Sequence, residues 1–397
     1  MDIQAETSPV LSIVVPTKGR EAYVKDVVDH ILSWSDDRFE LLVQNNSDSD
    51  ELSSCFSKHD GDSRFSYFFE PGWLSVIDNF DLAVGRARGS VVTIIGDDDG
   101  VHKSVIDVAQ FMIENAIDSV HSVVATYVWP DLESKYNASY FSAKLRVQSS
   151  YSQAYSQVLV DDELSASLNR GGTSIGNMPR IYYGLVRKEV IDSIISKCGS
   201  LFPGPSPDMA SSVALSLTCK DSRFYDFPLF IAGSCVKSTA GQGLQKKHEG
   251  EIEDVPHLPK SCKELWSSVV PEFWSGSTIW AESFLKSFSS CNNEEPEGFN
   301  YSFLYARCLV FSLHRWQKVV SCIDKNPHVN YFGVLLSVMN VWGDRVRYFL
   351  PKLVERVLGR SVESCWVKDG VLTISKAMIE LDYFVRQKQT DSKNKSL

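Results

Sequence analysis

The run Ile95-Gly96-Asp97-Asp98-Asp99-Gly100 contains the side chains of this sequence that are best suited to chemistry. Three adjacent carboxylates repel one another and resist full ionisation unless a cation or several hydrogen-bond donors lie between them. Mg²⁺ and Mn²⁺ prefer oxygen ligands, and Mg²⁺ is usually held by one or two carboxylates together with substrate phosphates. The run therefore favours a metal or phosphate site. A solvated acidic turn is the alternative.

The position of this run in the chain strengthens the metal interpretation. Ligands of open α/β sheets bind outside the carboxyl ends of the strands, and the aspartates directly follow an apolar, strand-like segment. The first hundred residues alternate between strand-like and helix-like patterns, which is typical of βαβ units. We predict strands at residues 10–15, 40–43, 64–69 and 91–95 and helices at 21–34 and 73–87.

The alternation loosens after about residue 118. Further strands are predicted at 122–129, 181–186 and 229–231, and a helix at 208–217 begins with the start signal Ser206-Pro207-Asp208. This half is expected to extend the same mixed sheet. After Lys246-Lys247-His248 the pattern changes to aromatic-rich helical segments at 303–316, 332–342 and 371–385.

Composition narrows the class of protein. The 397 residues carry 40 Lys and Arg against 50 Asp and Glu, a net charge of −10 that argues against broad nucleic-acid binding. The nine cysteines are scattered and lack Cys-x-x-Cys spacing, so we expect reduced residues in a cytosolic protein. The acidic start lacks the features of a secretory signal, and no apolar run approaches the roughly 18 residues of a spanning helix.

Several standard sites are excluded by their spacing. The sequence contains no Walker A motif, and Gly241-x-Gly243 is not followed by the third glycine of a dinucleotide fingerprint. An EF-hand beginning at Asn46 fails because Glu51 and Ser57 stand where glycine and the closing glutamate are needed.

Four segments in order resemble a known family. They are Leu11-Ser12-Ile13-Val14-Val15-Pro16-Thr17-Lys18-Gly19-Arg20, Leu41-Leu42-Val43-Gln44-Asn45-Asn46-Ser47, Ala87-Arg88-Gly89-Ser90 and the triple aspartate. Together they resemble the nucleotide-sugar half of family 2 GT-A glycosyltransferases, over roughly residues 9–245. The resemblance implies a GT-A (Rossmann-like) mixed central sheet flanked by helices, here with a mainly helical C-terminal region.

The predicted domains follow from this resemblance. Residues 1–245 would form the glycosyltransferase domain, with a nucleotide-sugar half at about 9–117 and an acceptor half at 118–245. Residues 246–397 would form the helical C-terminal region.

The resemblance also implies roles for particular residues. Pro16, Thr17 and the Asn45 region would cradle the base and ribose, and Arg20 is included among the donor contacts. Asp97, Asp98 and Asp99 would bind the metal-bridged diphosphate, through Mg²⁺ or Mn²⁺. Asp97 and Asp99 satisfy an Asp-x-Asp spacing, whereas alignment on the preceding strand favours Asp98, so the ligand is left open.

Asp208 resembles the acceptor-side carboxylate of the family. An inverting glycosyl transfer needs one carboxylate that takes the proton of the acceptor hydroxyl as the sugar carbon is attacked from the opposite face. The alternative is a helix N-terminal residue that satisfies backbone donors.

Three further residues are weaker candidates. Asn79, on the helix before the metal strand, could touch the donor. His248, with Lys246 and Lys247, could close over the diphosphate and join the metal ligands, although solvated surface is the commoner reading. Arg170, in a glycine-containing loop, could contact sugar or acceptor.

The leading hypothesis is a metal-dependent inverting glycosyltransferase that moves a sugar, most simply from a UDP-sugar, to a hydroxyl acceptor. The family's usual work in bacterial surface-polysaccharide assembly suggests a glycan or lipid-linked oligosaccharide acceptor. A nucleotidyltransferase and a non-catalytic scaffold or glycan-binding protein are the alternatives. No nucleic-acid partner is expected, and an oligomer is left open.

A basic segment adds a question about membranes. Within residues 344–360, five Lys and Arg stand against two acidic residues, interleaved with apolar side chains. Such a helix could rest on an anionic membrane, at the inner face of the cell membrane for a cytoplasmic protein. The alternative is a helix whose apolar side packs on the domain.

Overall fold

The structure is a computed structural model that describes residues 8–132, 142–244, 249–358 and 365–395. Within these ranges the strands of the main sheet are β1 (Leu11–Thr17), β2 (Phe39–Asn45), β3 (Phe65–Phe69), β4 (Val91–Ile94), β5 (Gly100–Val101), β6 (Ser119–Val128), β7 (Lys144–Gln148), β8 (Tyr155–Gln157), β9 (Gly184–Arg187), β10 (Ser222–Ser234) and β13 (Cys365–Asp369). The short strands β11 (Glu249–Gly250) and β12 (Trp274–Ser275) pair with each other.

Helices flank this sheet and dominate the C-terminal part of the chain. They are α1 (Glu21–Leu32), α2 (Glu51–Phe56), α3 (Val76–Gly85), α4 (Val105–Glu114), α5 (Val160–Asn169), α6 (Lys188–Cys198), α7 (Pro207–Ser216), α8 (Thr239–Leu244), α9 (Gly276–Asn292), α10 (Tyr301–Phe311), α11 (Trp316–Lys325), α12 (Tyr331–Leu358) and α13 (Ile374–Lys395).

The sheet is mixed. β3, β2, β1 and β4 are consecutive parallel neighbours, and β9 then runs antiparallel between β4 and β6. β10 lies parallel to β6 along nearly its whole length. This arrangement confirms the predicted fold class, a mixed α/β sheet with helices around it and a mainly helical C-terminal region.

The parallel part of the sheet forms the centre of the main core. Every residue of β1, β2 and β4 is buried, as expected for strands covered on both faces. Helix α1 covers one face with Val24, Val27, Val28 and Ile31, whose spacing of three and four residues places them on one side of a helix. The predicted helix at 21–34 is thereby confirmed.

The C-terminal region has its own core but also returns to the sheet. Helices α9 to α12 pack around a second apolar cluster that includes Phe284, Leu304 and Tyr305. In contrast, β13 pairs with β7, and Ile374 and Leu381 of α13 are fully buried in the main core. The predicted domain boundary at residue 245 therefore separates parts of the chain that share one core.

Among the described helices, none is both long enough and apolar enough to span a lipid bilayer.

Candidate functional site

The three aspartates lie in the turn that leaves the carboxyl end of β4. Their side chains are almost inaccessible to solvent, with relative exposures of 1%, 3% and 1% for Asp97, Asp98 and Asp99. The parallel pairing of β4 with β1 brings the turn to the end of β1, where the Thr17 hydroxyl donates a hydrogen bond of 2.6 Å to Asp97 Oδ2. The predicted convergence of strand ends is therefore present for this pair.

Asp99 is fully occupied by hydrogen bonds within the protein. Its Oδ2 accepts from the Gly96 backbone N–H at 2.7 Å and from the Tyr182 hydroxyl at 2.8 Å. Its Oδ1 accepts from the Tyr183 hydroxyl at 2.8 Å and from the Gly233 backbone N–H at 2.7 Å. These four bonds fasten the acidic turn to β10 and to the segment before β9.

Asp97 and Asp98 instead present oxygens to one cation. The Arg20 Nη1 lies 2.7 Å from Asp97 Oδ1 and 3.1 Å from Asp98 Oδ1. Asp98 Oδ2 accepts a bond of 3.2 Å from the Cys235 backbone N–H, whereas Asp97 Oδ1 accepts no hydrogen bond from any described residue. Two buried carboxylate oxygens thus converge where a positive charge is required.

The electrostatics of the turn reflect this crowding. Burial, followed by the neighbouring Asp99 and Asp97, raises the pKa of Asp98 to about 7. Burial also raises the pKa values of Asp97 and Asp99. Burial alone would lower the pKa of Arg20, but Asp97 and Asp98 outweigh it and raise that pKa, so Arg20 remains a cation.

The carboxylate pair is a candidate for metal binding only with ligands from elsewhere. In the parts of the chain that the structure describes, no group of three or more His, Cys, Asp and Glu side chains is arranged to hold a metal. Asp97 and Asp98 fit the pattern in which Mg²⁺ takes one or two carboxylates and completes its shell with water and phosphate oxygens. The His248 candidate, like Lys246 and Lys247, lies outside the described residues.

The second predicted turn follows β2. In the β1–β2 ladder Thr17 stands opposite Asn45, and Pro16 stands opposite Gln44. Asn45 is buried; its Oδ1 accepts from the Ser47 backbone N–H at 2.9 Å, and its Nδ2 donates to the Tyr67 hydroxyl at 3.0 Å. The Asn45 amide therefore shapes the turn.

A buried amide donor remains at the same strand end. Gln44 Oε1 accepts a hydrogen bond from Arg86, but Gln44 Nε2 has no hydrogen-bond partner among the described residues. The neighbouring Asn46 holds the loop that follows β3, because its Nδ2 donates to the carbonyls of Glu70 and Gly72. A donor left unpaired in a buried position costs free energy unless a ligand satisfies it.

Asn79 lies near the start of α3, a helix that begins with a capping box between Ser75 and Asp78. The Asn79 side chain is 6% exposed, and its Oδ1 has no hydrogen-bond partner among the described residues. The next residue, Phe80, stacks on Tyr182 with a centroid distance of 6.3 Å. Asn79 thus lies close to the tyrosine that holds Asp99.

Asp208 lies in the first turn of α7, as predicted from the Ser-Pro-Asp start signal. Its Oδ1 accepts hydrogen bonds from the Ser206 hydroxyl and, at 2.8 Å, from the Met209 backbone N–H. Its Oδ2 accepts only one bond within the described residues, from Trp280 Nε1 at 3.1 Å. Since a carboxylate oxygen offers about two acceptor sites, Oδ2 retains capacity for one more donor.

Trp280 was not anticipated from the sequence. It belongs to α9, in the C-terminal region, and the same face of α9 holds the α7 segment through Ser283, whose Oγ accepts from the Ser206 backbone N–H at 2.8 Å. Ser287 of α9 adds a bond to the Ala210 carbonyl at 2.7 Å. The C-terminal region therefore contacts the candidate base directly.

Other residues that hold the aspartates were also missed. Tyr182 and Tyr183 carry no motif, and the site strand β10 extends well beyond the predicted 229–231, so that Gly233 and Cys235 reach the acidic turn. Arg170 is ion-paired with Asp344 and stacks on Phe303, which gives it a structural role between α5 and the C-terminal helices.

Comparison with known proteins bears on residues 12–158, which match the sequence profile described as Glycosyl transferase family 2. No curated protein sequence matches the chain. Among solved structures, S. aureus TarS 1–349 in complex with UDP-GlcNAc is 13% identical, with 79% of this chain and 80% of that chain covered and a TM-score of 0.46. The mannosyltransferase PcManGT from Pyrobaculum calidifontis, in complex with GDP-Man and Mn²⁺, is 10% identical, with coverages of 95% and 87% and a TM-score of 0.42.

The profile match spans β1 to β8, and therefore includes both strand-end turns and the acidic run. Residues 12–158 of this chain belong to glycosyl transferase family 2, and the mixed sheet that they begin has the GT-A fold.

Proposed function

We propose that this protein transfers a sugar from a nucleotide-diphosphate sugar to a hydroxyl acceptor, with inversion at the sugar carbon. The observation that carries the proposal is the convergence of Asp97 and Asp98 oxygens on one cationic position at the carboxyl ends of β1 and β4. The family match over residues 12–158 favours glycosyl transfer over nucleotidyl transfer.

The donor diphosphate would lie beside the acidic turn. Asp97 and Asp98 would hold Mg²⁺ or Mn²⁺, and Arg20 would contact the phosphates once its carboxylate partners bind the metal. The bound ion would neutralise the negative charge that develops on the departing diphosphate. Asp99 would not join the ligands, since its oxygens already accept four hydrogen bonds that keep the turn in place.

The base and ribose would lie over the ends of β1 and β2, with Pro16 and Thr17 on one side and the Asn45 turn on the other. The unpaired Gln44 Nε2 supports this position, because a donor there could bind a carbonyl oxygen of a pyrimidine or purine edge. Asn79 Oδ1 supports a second contact, since it is a buried acceptor without a partner among the described residues. A UDP-sugar is the first donor to test.

Asp208 would act as the general base. The acceptor oxygen would attack the sugar carbon as the bond to the diphosphate breaks, and the hydroxyl proton would pass to Asp208 Oδ2. Support comes from the hydrogen bonds: Ser206 and Met209 orient the carboxylate through Oδ1, while Oδ2 keeps room for the acceptor hydroxyl. The proposed acceptor is a hydroxyl of a glycan or a lipid-linked oligosaccharide.

The experiment uses Asp208→Asn and needs no knowledge of the acceptor. Hydrolysis of UDP- and GDP-sugars by water is measured with Mn²⁺, and donor binding is measured by calorimetry. We expect donor affinity within about threefold of wild type and hydrolysis slowed by about a hundredfold or more, the usual contribution of general base catalysis. Normal turnover in Asp208→Asn would refute the assignment of the base.

A further inference from the structure

The outer side of helix α12 is unusually apolar for a protein surface. Nine large apolar side chains between residues 331 and 350, on this side of the helix, have relative exposures of 47–69%: Tyr331, Phe332, Leu335, Leu336, Met339, Trp342, Val346, Phe349 and Leu350. Single exposed apolar residues are normal, whereas a contiguous patch marks a surface that binds something. We call these nine side chains the α12 face.

The α12 face is distinct from the side of the helix that holds the fold together. Val334 and Val341 are buried and, with the partly buried Val338, pack in the C-terminal core. The exposed residues recur at steps of three and four along the opposite side, which forms a stripe about 27 Å long at 1.5 Å per residue. No charged residue occurs from 331 to 343.

The patch continues beyond the helix. Phe311, Leu313 and Trp316, in the turn after α10, are 49%, 66% and 49% exposed. The Arg345 guanidinium joins the two parts, since it lies 4.9 Å from the Phe311 ring and 5.0 Å from the Trp342 ring. Within the described residues Arg345 forms no ion pair, so its charge is available to an anion.

We infer that the α12 face, with Phe311, Leu313 and Trp316, rests on an anionic lipid bilayer. Aromatic side chains are favoured at the level of lipid headgroups, where an apolar ring meets a wet, polar layer. Arg345 lies among these rings in the position suited to a lipid phosphate. The following sequence adds Lys352, Arg356 and Arg360 against one Glu355, which supplies local attraction in a chain whose net charge is −10.

A second copy of this chain is the competing occupant. In a two-fold dimer centred on the patch, the two unpaired Arg345 side chains would be brought toward each other, which costs free energy. Seams between helices usually take Leu, Ile and Val, whereas this stripe has Phe332, Met339 and Trp342 at its centre. The patch also spreads sideways to Trp316. These features favour a lipid surface. The inference does not depend on the proposed donor or base.

The test is flotation of the full chain with vesicles of phosphatidylcholine, with and without phosphatidylglycerol. We expect binding to the anionic vesicles that weakens as salt is added. The double variant Phe332→Ser/Met339→Ser should lose about tenfold or more in vesicle affinity, because two apolar side chains no longer enter the interface. Arg345→Ala should lose about fivefold on anionic vesicles alone.

The controls are Leu159→Ser and Leu372→Ser, which remove apolar side chains of similar exposure, 63% and 65%, from other surfaces. Both should float like wild type. All substituted side chains are exposed, so thermal unfolding should be unchanged and loss of binding would not reflect loss of folding. Sedimentation velocity is run in parallel without lipid.

Two results would overturn the inference. One is a wild-type protein that does not float with anionic vesicles, or a double variant that floats as well as wild type. The other is a concentration-dependent dimer that the double variant abolishes while no vesicle binding is seen, which would assign the α12 face to a second copy.

Discussion

Asp99 accepts hydrogen bonds at both carboxylate oxygens, whereas Asp97 and Asp98 turn oxygens toward Arg20. Adjacent residues of one type thus carry different tasks: Asp99 holds the turn, and the other two offer negative charge to a ligand. The same distinction applies to Asp208, where Oδ1 is used for orientation and Oδ2 is partly free.

Asp98 gives a dependence of stability on pH whose sign can be stated. Its folded-state pKa is raised to about 7, so its contribution to stability is full below the ordinary carboxyl pKa and is lost as pH rises through 7. Without metal, this group should remove about 1 kcal/mol of unfolding free energy between pH 6 and pH 8. Denaturant unfolding in EDTA should show a smaller loss for Asp98→Asn than for wild type. Equal losses would contradict the raised pKa.

Trp280 should act as a positioning residue for the base. Trp280→Phe keeps the ring but removes the hydrogen bond to Asp208 Oδ2, so the carboxylate loses one of the contacts that orient it. We expect kcat for donor hydrolysis to fall about tenfold with KM for the donor nearly unchanged, since misorientation of a reacting group acts on the chemical step.

Trp266→Phe is the matched control for this prediction. Its indole is also half-buried and donates to a carbonyl, that of Val270, at 3.0 Å, but it does not touch the candidate site. If the two variants lose kcat equally, the role of Trp280 is structural only.

At the scale of elements, the site depends on β10 as much as on β4. β10 pairs with β6 in parallel, and the register shifts on both sides of Pro228. Gly233, near its end, passes so close to the acidic turn that a Cβ added there would lie 1.8 Å from the Asp98 carbonyl oxygen. The position of the aspartates is therefore fixed by a strand more than a hundred residues later in the chain.

Gly233→Ala should displace the acidic turn, because the atom it would strike belongs to the backbone and cannot rotate away. We expect a destabilisation of about 1–3 kcal/mol by denaturant unfolding and a weakening of Mn²⁺-dependent nucleotide binding by about tenfold or more. Gly276→Ala, where an added Cβ meets nothing within 4 Å, should change neither. Normal nucleotide binding by Gly233→Ala would show that the turn does not need this close approach.

The sequence predicts local elements better than it predicts their partners. The helix at 21–34 and the strands before each turn were found because the apolar spacing is regular and the strands are buried on both faces. Asp208 was found because a helix start carries its own signal. Trp280, Tyr182 and Gly233 could not be found in this way, since each meets its aspartate only through tertiary packing.

The same reason explains the missed helices. α5 and α6 carry many charged and small polar residues on their exposed sides, and α9 mixes Ser and Thr with its buried aromatic residues, so its apolar period is weak. The short strand β13 is recognisable only from its antiparallel partner, β7. Propensity and periodicity are overridden here by packing against distant parts of the chain.

At the scale of the whole molecule, the chain joins two cores across the candidate site. The sheet core delivers Asp97 and Asp98, and the helical core delivers Trp280 against Asp208. Helix α13 then returns to the sheet, where Ile374 and Leu381 are fully buried. The outer α12 face is left to solvent, on the side away from the helical core.

The central claim is that the Asp97–Asp98 pair holds a nucleotide diphosphate through a divalent metal. Calorimetry of UDP, GDP and CDP, each with Mn²⁺ and with EDTA, tests it most directly, and Asp98→Asn and Asp60→Asn, an acid outside the site in the turn after α2, serve as the matched pair. We predict that at least one nucleotide binds with Mn²⁺ and not with EDTA, that Asp98→Asn weakens this binding by about tenfold or more, and that Asp60→Asn leaves it unchanged. Nucleotide binding that is indifferent to both metal and Asp98, or no binding of any of the three, would contradict the account.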